Sequence, residues 1–193
     1  MNKAVFFILV LSLFFHKNRL FAQEKFEKES RLKEKQVPAK ALNFLDSLQI
    51  SRKIKWFKEE GLTRESIEAK FKYNKSNYSI EFDIQGKIED IEKEIDWSKL
   101  DNKLRDSISH QLSADCTKFK ISKVQIQYTG GESDLYSEIL AEEINKNVMV
   151  HYELIVQCKH HNTVELFEYL FSDQGKHVSH SIILFKNSSH LEY

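Results

Sequence analysis

The side chains of this chain best suited to chemistry are two cysteines and a group of histidines. Cys116 and Cys158 are the only cysteines. An oxidising compartment would let them pair, and a bond would pin a helix to a strand. Closing a loop of about forty residues is worth roughly 4 kcal/mol in the chain-entropy picture. Two buried free thiols, acting as small hydrophobes, are the alternative; the disulfide is the expectation. His151, His160, His161, His177 and His180 lie in the same C-terminal region. On a strand Cys158 and His160 would share a face and His161 would oppose them, while His177 and His180 would diverge. No pair has the spacing of a tetrahedral site on a fixed loop or helix. The expectation is therefore scattered surface histidines and no metal.

Other chemistry finds less support. Asp83 and Asp173 flank two glycine turns, but neither loop has the spaced oxygen ligands of a calcium hand, and aspartate is an ordinary turn former. There is no serine elbow, zinc-protease helix, phosphate loop or dinucleotide fingerprint. No catalytic residue and no cofactor is predicted, and the chain reads as a non-enzyme.

The elements that would position these residues follow from a repeated pattern. Tyr78-Ser-Ile-Glu-Phe-Asp-Ile-Gln-Gly86-Lys and Phe167-Glu-Tyr-Leu-Phe-Ser-Asp-Gln-Gly175-Lys align glycine to glycine, with Tyr78, Ile80 and Phe82 matching Phe167, Tyr169 and Phe171. Each copy is an alternating strand, a polar turn closed by glycine, and a new strand. Ala41, Leu42, Leu45 and Leu48 predict a helix over Pro38–Gln49. Leu100, Leu104, Ile108 and Leu112 predict a second over Ser98–Ala114. Period-two alternation follows each helix: near Ile54 and Trp56, over Ile67–Tyr73 and Tyr78–Phe82, and at Ile91 and Ile95. After the second helix it recurs over Lys118–Tyr128, Val148–Lys159, Thr163–Phe171 and Lys176–Phe185. Leu135, Ile139 and Ile144 suggest a short helix inside an insertion. Trp56 falls on the core phase, and Trp97 at the junction of the two halves.

The N-terminus reads as a secretory signal. Lys3 precedes the apolar run Ala4–Phe15, too short to span a bilayer, and cleavage is expected after Ala22 or Gln23. The whole chain has 29 basic and 29 acidic residues. Removing Lys3, Lys17 and Arg19 leaves a net charge of −3. Mixed signs give no basic footprint for nucleic acid and no polybasic membrane patch. The expected product is exported, periplasmic or secreted, without stable membrane insertion.

Val37-Pro38-Ala39 opening a helix, the Lys55-Trp56-Phe57 strand, Tyr78–Asp83 with its Gly86 turn, Ile95-Asp-Trp-Ser-Lys-Leu100 and the turn at Gly175 together resemble the PepSY-like proteins, related to beta-lactamase-inhibitor-like domains. The resemblance spans Val37 to Leu184. It implies an α+β fold: a tandem repeat of a helix plus a four-stranded antiparallel sheet, with the helices packed on one sheet face. The divisions would be a signal peptide over 1–23, a charged tether over 24–37, one repeat over 38–97, a second over 98–186 with an insertion at 130–147, and a polar tail over 187–193. Two features depart from the family: Asp101 stands where the second helix usually opens with proline, and the 130–147 insertion lengthens the second repeat. In the namesake inhibitors the open sheet face grips a target enzyme, and similar modules are proposed to inhibit peptidases.

Strand phase then locates a candidate contact surface. Val150, Tyr152, Leu154, Val156 and Cys158 share the inner phase, as do Ile182 and Leu184. His151, Ile155, Leu166, Leu170, His177, Ile183 and Phe185 fall on the outer one. The outer face of the first half is charged (Glu68, Lys70, Lys72, Glu81, Asp83); that of the second is apolar by comparison. A contiguous apolar patch marks a contact surface. Either the insertion covers it, or it meets a second copy as a homodimer, or it binds a foreign protein. The functional expectation is an exported protein-binding module, an inhibitor or regulator of an envelope or secreted hydrolase. The alternative is a small-ligand or metal-responsive envelope accessory protein.

Overall fold

The structure, a computed structural model, describes residues 23–50, 53–61, 63–141 and 146–185. The expected signal peptide, up to residue 22, and the polar tail lie outside the described residues. Nine strands appear in chain order: β1 Gln23–Leu32, β2 Lys55–Glu60, β3 Glu65–Tyr73, β4 Ser76–Asp83, β5 Ile88–Glu94, β6 Lys118–Thr129, β7 Met149–His160, β8 Thr163–Ser172 and β9 His177–Phe185. Helix α1 is Ala39–Ser47, α2 Asn102–Asp115 and α3 Glu132–Ala141. Each strand pairs with the next, and β1 also pairs with β9, so the sheet closes into a barrel. The β1–β9 pairing is parallel and all others are antiparallel.

This corrects the expected fold class. There is one continuous nine-stranded sheet, not two four-stranded sheets in tandem, because β5 and β6 pair directly, Asp90 to Thr129 through Glu94 to Gln125. The charged stretch expected to be a tether contains β1. Its alternating lysines and glutamates carry no apolar signal, and its partners are remote in sequence.

The helices build the core on one face of the sheet. Ala41, Phe44 and Leu45 of α1 pack with Trp56, Ile80, Phe82 and Ile91, and Leu135 and Ile139 of α3 join the same cluster. Leu104, Ile108 and Leu112 of α2 pack with Leu154, Val156, Phe167, Tyr169 and Phe171. Asp101 caps α2, its Oδ1 accepting from the Leu104 amide at 2.8 Å. The cap supplies what a proline start would otherwise help to fix.

The two glycine turns have a shared structural cause. Gly86 and Gly175 both take positive φ, 82° and 74°. A Cβ on Gly86 would meet the Ala41 amide and Pro38 Cβ at 2.9 Å; one on Gly175 would meet Leu104 Cδ1 at 2.8 Å. Each turn thus abuts the helix that covers its own strands. Asp83 Oδ1 accepts from the amides of Gln85 and Lys87 in the first turn. In the second, Ser172 Oγ accepts from those of Gln174 and Lys176. The true counterpart of Asp83 is therefore Ser172, and Asp173 is an exposed turn residue.

Candidate functional site

The face of the sheet opposite the helices follows from strand register. Glu68 lies level with Glu81, and Glu81 with Asp90. One row further along, Lys70, Ser79, Glu92, Gln127, His151 and Ser172 form a line across six strands. Beside it run Glu94, Gln125, Glu153 and Leu170. No described helix packs here, yet Ser66, Glu68, Ser79, Asp90, Gln125 and Glu153 are buried. Barrel closure accounts for this: the helix-free face is the inside. A barrel of about eight strands is just wide enough for its side chains to fill.

The polar groups there are extensively paired. Ser79 Oγ donates to Glu68 Oε1. Ser66 Oγ donates to Glu81 Oε1 at 2.9 Å, and Arg64 Nη2 to Glu81 Oε2 at 2.7 Å. Gln125 Nε2 donates to Glu92 Oε2 at 2.7 Å, and Gln127 Nε2 to Asp90 Oδ2 at 3.2 Å. Lys70 Nζ lies 2.8 Å from Glu68 Oε2 and 3.1 Å from Glu29 Oε1. Burial works against the Lys70 charge, but these two carboxylates outweigh it and hold the ammonium protonated. His151 Nδ1 is shielded from solvent without a hydrogen-bond partner.

Carboxyl groups outnumber cations on this face, and their proton affinities record it. Burial pushes Glu92 up to about 7; Lys123 opposes the rise, while Glu81 and Glu68 add to it. Asp90 is raised well above the usual carboxylate range, by burial first and then by Glu81 and Glu92. A carboxyl deprived of water and set beside its own kind stays protonated to higher pH. Arrangements of this sort cluster at functional sites.

The expected contact residues divide unevenly. His151, Ile155, Leu166, Leu170 and Ile183 do lie on the helix-free face, but as barrel interior: Ile183 is buried and the other four are half-buried. His177 is on the opposite, helix-bearing face. A β-bulge between Leu170 and Phe171 shifts the β8–β9 register, so His177 pairs with Phe171 and His180 with Tyr169. The backbone of Phe185 pairs with Glu27; its side chain is outside the described residues. The insertion does not cover the helix-free face with α3. Tyr136 stacks edge-on against Phe44 and its hydroxyl donates to the Ser47 carbonyl at 3.0 Å, which places α3 beside α1. A cleft of about 720 Å³ between those helices is lined by Lys40, Phe44, Glu132 and Tyr136.

The bulge also brings together two histidines expected to diverge. His180 Nδ1 lies 3.1 Å from His177 Nε2. Both rings contact Tyr169, His180 stacking on it at 5.1 Å. Burial and His180 lower the proton affinity of His177, with Asp115 opposing. Cys116 and Cys158 form a disulfide with Cα atoms 5.4 Å apart, pinning the end of α2 to β7. His160 Nε2 approaches Cys158 Sγ at 3.1 Å, but sulfurs committed to a disulfide offer no thiolate to a metal.

Neither a known family profile nor a curated protein matches the sequence. The fold has solved relatives. A DUF2874 family protein from Bacteroides uniformis superposes with a TM-score of 0.51 at 11% identity, covering 76% of this chain and 89% of its own. One from Bacteroides ovatus gives 0.50 at 11% identity, covering 76% and 87%. A candidate periplasmic protein from Bacteroides eggerthii gives 0.49 at 9% identity, covering 76% and 88%. At such distances the likeness concerns architecture alone. No helix among the described residues is long and apolar enough to cross a membrane.

Proposed function

We propose that this chain is an exported, non-enzymatic protein-binding module of PepSY-like kinship that restrains or regulates an envelope or secreted hydrolase. The helix-free face and the β1 seam that closes the barrel are the binding elements. The observation that carries the reading is the set of buried and half-buried carboxyl groups on that face, Glu68, Glu81, Asp90, Glu92 and Glu153. A sheet selected only for stability would bury apolar residues there, since taking carboxylates out of water costs folding energy even when they are paired. A partner offering lysine or arginine side chains would favour the charged form of Asp90 and Glu92, which burial opposes. The test is capture from envelope and secreted fractions, using the mature protein beside a Glu92→Gln, Glu153→Gln variant checked to be folded. A specific protein retained by the first and lost by the second is expected; identical background from both contradicts the reading.

The His177–His180 pair favours a second reading, a metal-responsive accessory protein. Two imidazoles this close suit zinc or copper. Titration with either metal should then raise the melting temperature, and His177→Ala should abolish the rise.

A further inference from the structure

Strand β1 is held differently from the strands it joins. In the strand order β9 and β2 are connected only through it. Its first half, Gln23–Glu27, runs parallel to Ser181–Phe185 of β9, and its second half, Lys28–Leu32, antiparallel to Trp56–Glu60 of β2. Lys28 to Arg31 are exposed and Leu32 is only half-buried. The second half is tied by two ion pairs, Lys28 to Glu60 and Glu29 to Lys70. Pairs this exposed add little to stability. By contrast β4 buries Tyr78, Ile80 and Phe82.

The first half of β1 is also mismatched to its neighbour. Register sets Glu24 level with Ile182, Lys25 with Ile183 and Glu27 with Phe185; only Phe26, level with Leu184, is an apolar match. Cross-strand pairs gain most when aromatic and β-branched residues face each other. The edge of β9 is therefore better suited to an apolar strand than to the one it holds. A strand whose described side chains, Lys28 to Leu32, are exposed or half-buried is where local opening is expected.

Resting on the protein-binding reading above, we propose that β1 is an exchangeable strand whose slot accepts an extended segment of a partner protein. That segment would run parallel to β9. It would carry apolar residues where Glu24, Lys25 and Glu27 now stand, and basic ones level with Glu59 and Glu60. Strand addition of this kind takes affinity from main-chain hydrogen bonds and specificity from alternate side chains. Release of β1 frees the edges of β2 and β9 together and opens the acidic barrel interior, so partner entry and exposure of the carboxyl face are one event.

The test uses the mature protein and two labelled peptides. One has the sequence Gln23–Leu32; the other carries Glu24→Val, Lys25→Val and Glu27→Val. A Ser30→Cys, Lys58→Cys variant, at a pair in register, locks β1 onto β2 when oxidised. Both peptides should bind the native protein, the apolar one about tenfold tighter, a difference of about 1.4 kcal/mol. Neither should bind the locked variant, and both should bind the same variant with the two new thiols alkylated. No binding to the native protein, or equal binding to the locked form, overturns the proposal. Should the lock fail to form, hydrogen exchange on the native chain decides: β1 amides exchanging faster than those of β3 and β4 support it, and equal protection overturns it. A dimer that trades β1 between copies would make a second copy the occupant and overturn the foreign partner. Peptide exchange without hydrolase capture would keep the slot and remove the function; capture without exchange would place the partner elsewhere.

Discussion

On one face of the sheet Trp56, Ile80, Phe82, Leu154 and Phe171 are buried under helices; on the other, Ser66, Glu68, Ser79, Asp90 and Gln125 are buried against one another. The two kinds of residue alternate along a strand, as Ser79 does with Ile80 on β4 and Glu68 with Ile67 and Ala69 on β3, and differ little in exposure. Their energetics differ greatly. The helix-bearing face gains about 25 cal/mol for each Å² of apolar surface removed from water. The helix-free face gains hydrogen bonds that largely replace those made with water, and it carries carboxyl groups whose ionisation opposes closure. Depth of burial alone therefore does not tell which face stabilises the fold and which is kept for another purpose.

The contrast can be broken most forcefully from the helix-bearing side. Phe82→Ala removes a ring packed against Phe44 and Trp56 and should cost about 3–5 kcal/mol in chemical denaturation. Ser79→Ala, on the opposite face, should cost far less. Cys158→Ser breaks the bond between α2 and β7 and should cost roughly 2–5 kcal/mol by the same assay.

The helix-free face should reveal itself through pH. Glu92 ionises near pH 7 when folded but near 4.5 when unfolded. A raised value of this kind leaves stability intact below pH 4.5 and removes it as pH rises through 7. Melting temperature should therefore fall from pH 5 to pH 8. Glu92→Gln should raise stability by roughly 1–3 kcal/mol at pH 8 and leave it nearly unchanged at pH 4. Gly175→Ala should give the smallest loss, about 1–2 kcal/mol, because positive φ and the contact with Leu104 penalise a Cβ.

The helix-bearing face was legible in the sequence because burial on one side of a strand writes an alternation. Tyr78, Ile80, Phe82, Phe167, Tyr169 and Phe171 stand on the face that the pattern assigns them, and Leu104, Ile108 and Leu112 form the buried stripe of α2. The closure of the barrel was not legible. β1 alternates charge with charge, so no apolar period marks it, and its partners lie up to 158 residues away, Gln23 with Ser181. That one missed strand turned an enclosed face into an expected solvent-exposed one. The histidine pair was hidden for a separate reason: a bulge inserts a residue into β9, and a one-residue shift reverses every later side chain.

The enclosed face is the claim on which the rest depends, and one substituted thiol reads it directly. Both native cysteines are in the disulfide, so Ser79→Cys would introduce a single free thiol on the helix-free face. Its labelling rate with a small thiol reagent is compared with that of Asn77→Cys, two residues away on the same strand and exposed. Closure through β1 predicts labelling at position 79 at least about a hundredfold slower under native conditions, as protection by local opening requires. Equal rates at the two positions would mean that this face is open to solvent and that the barrel is not closed.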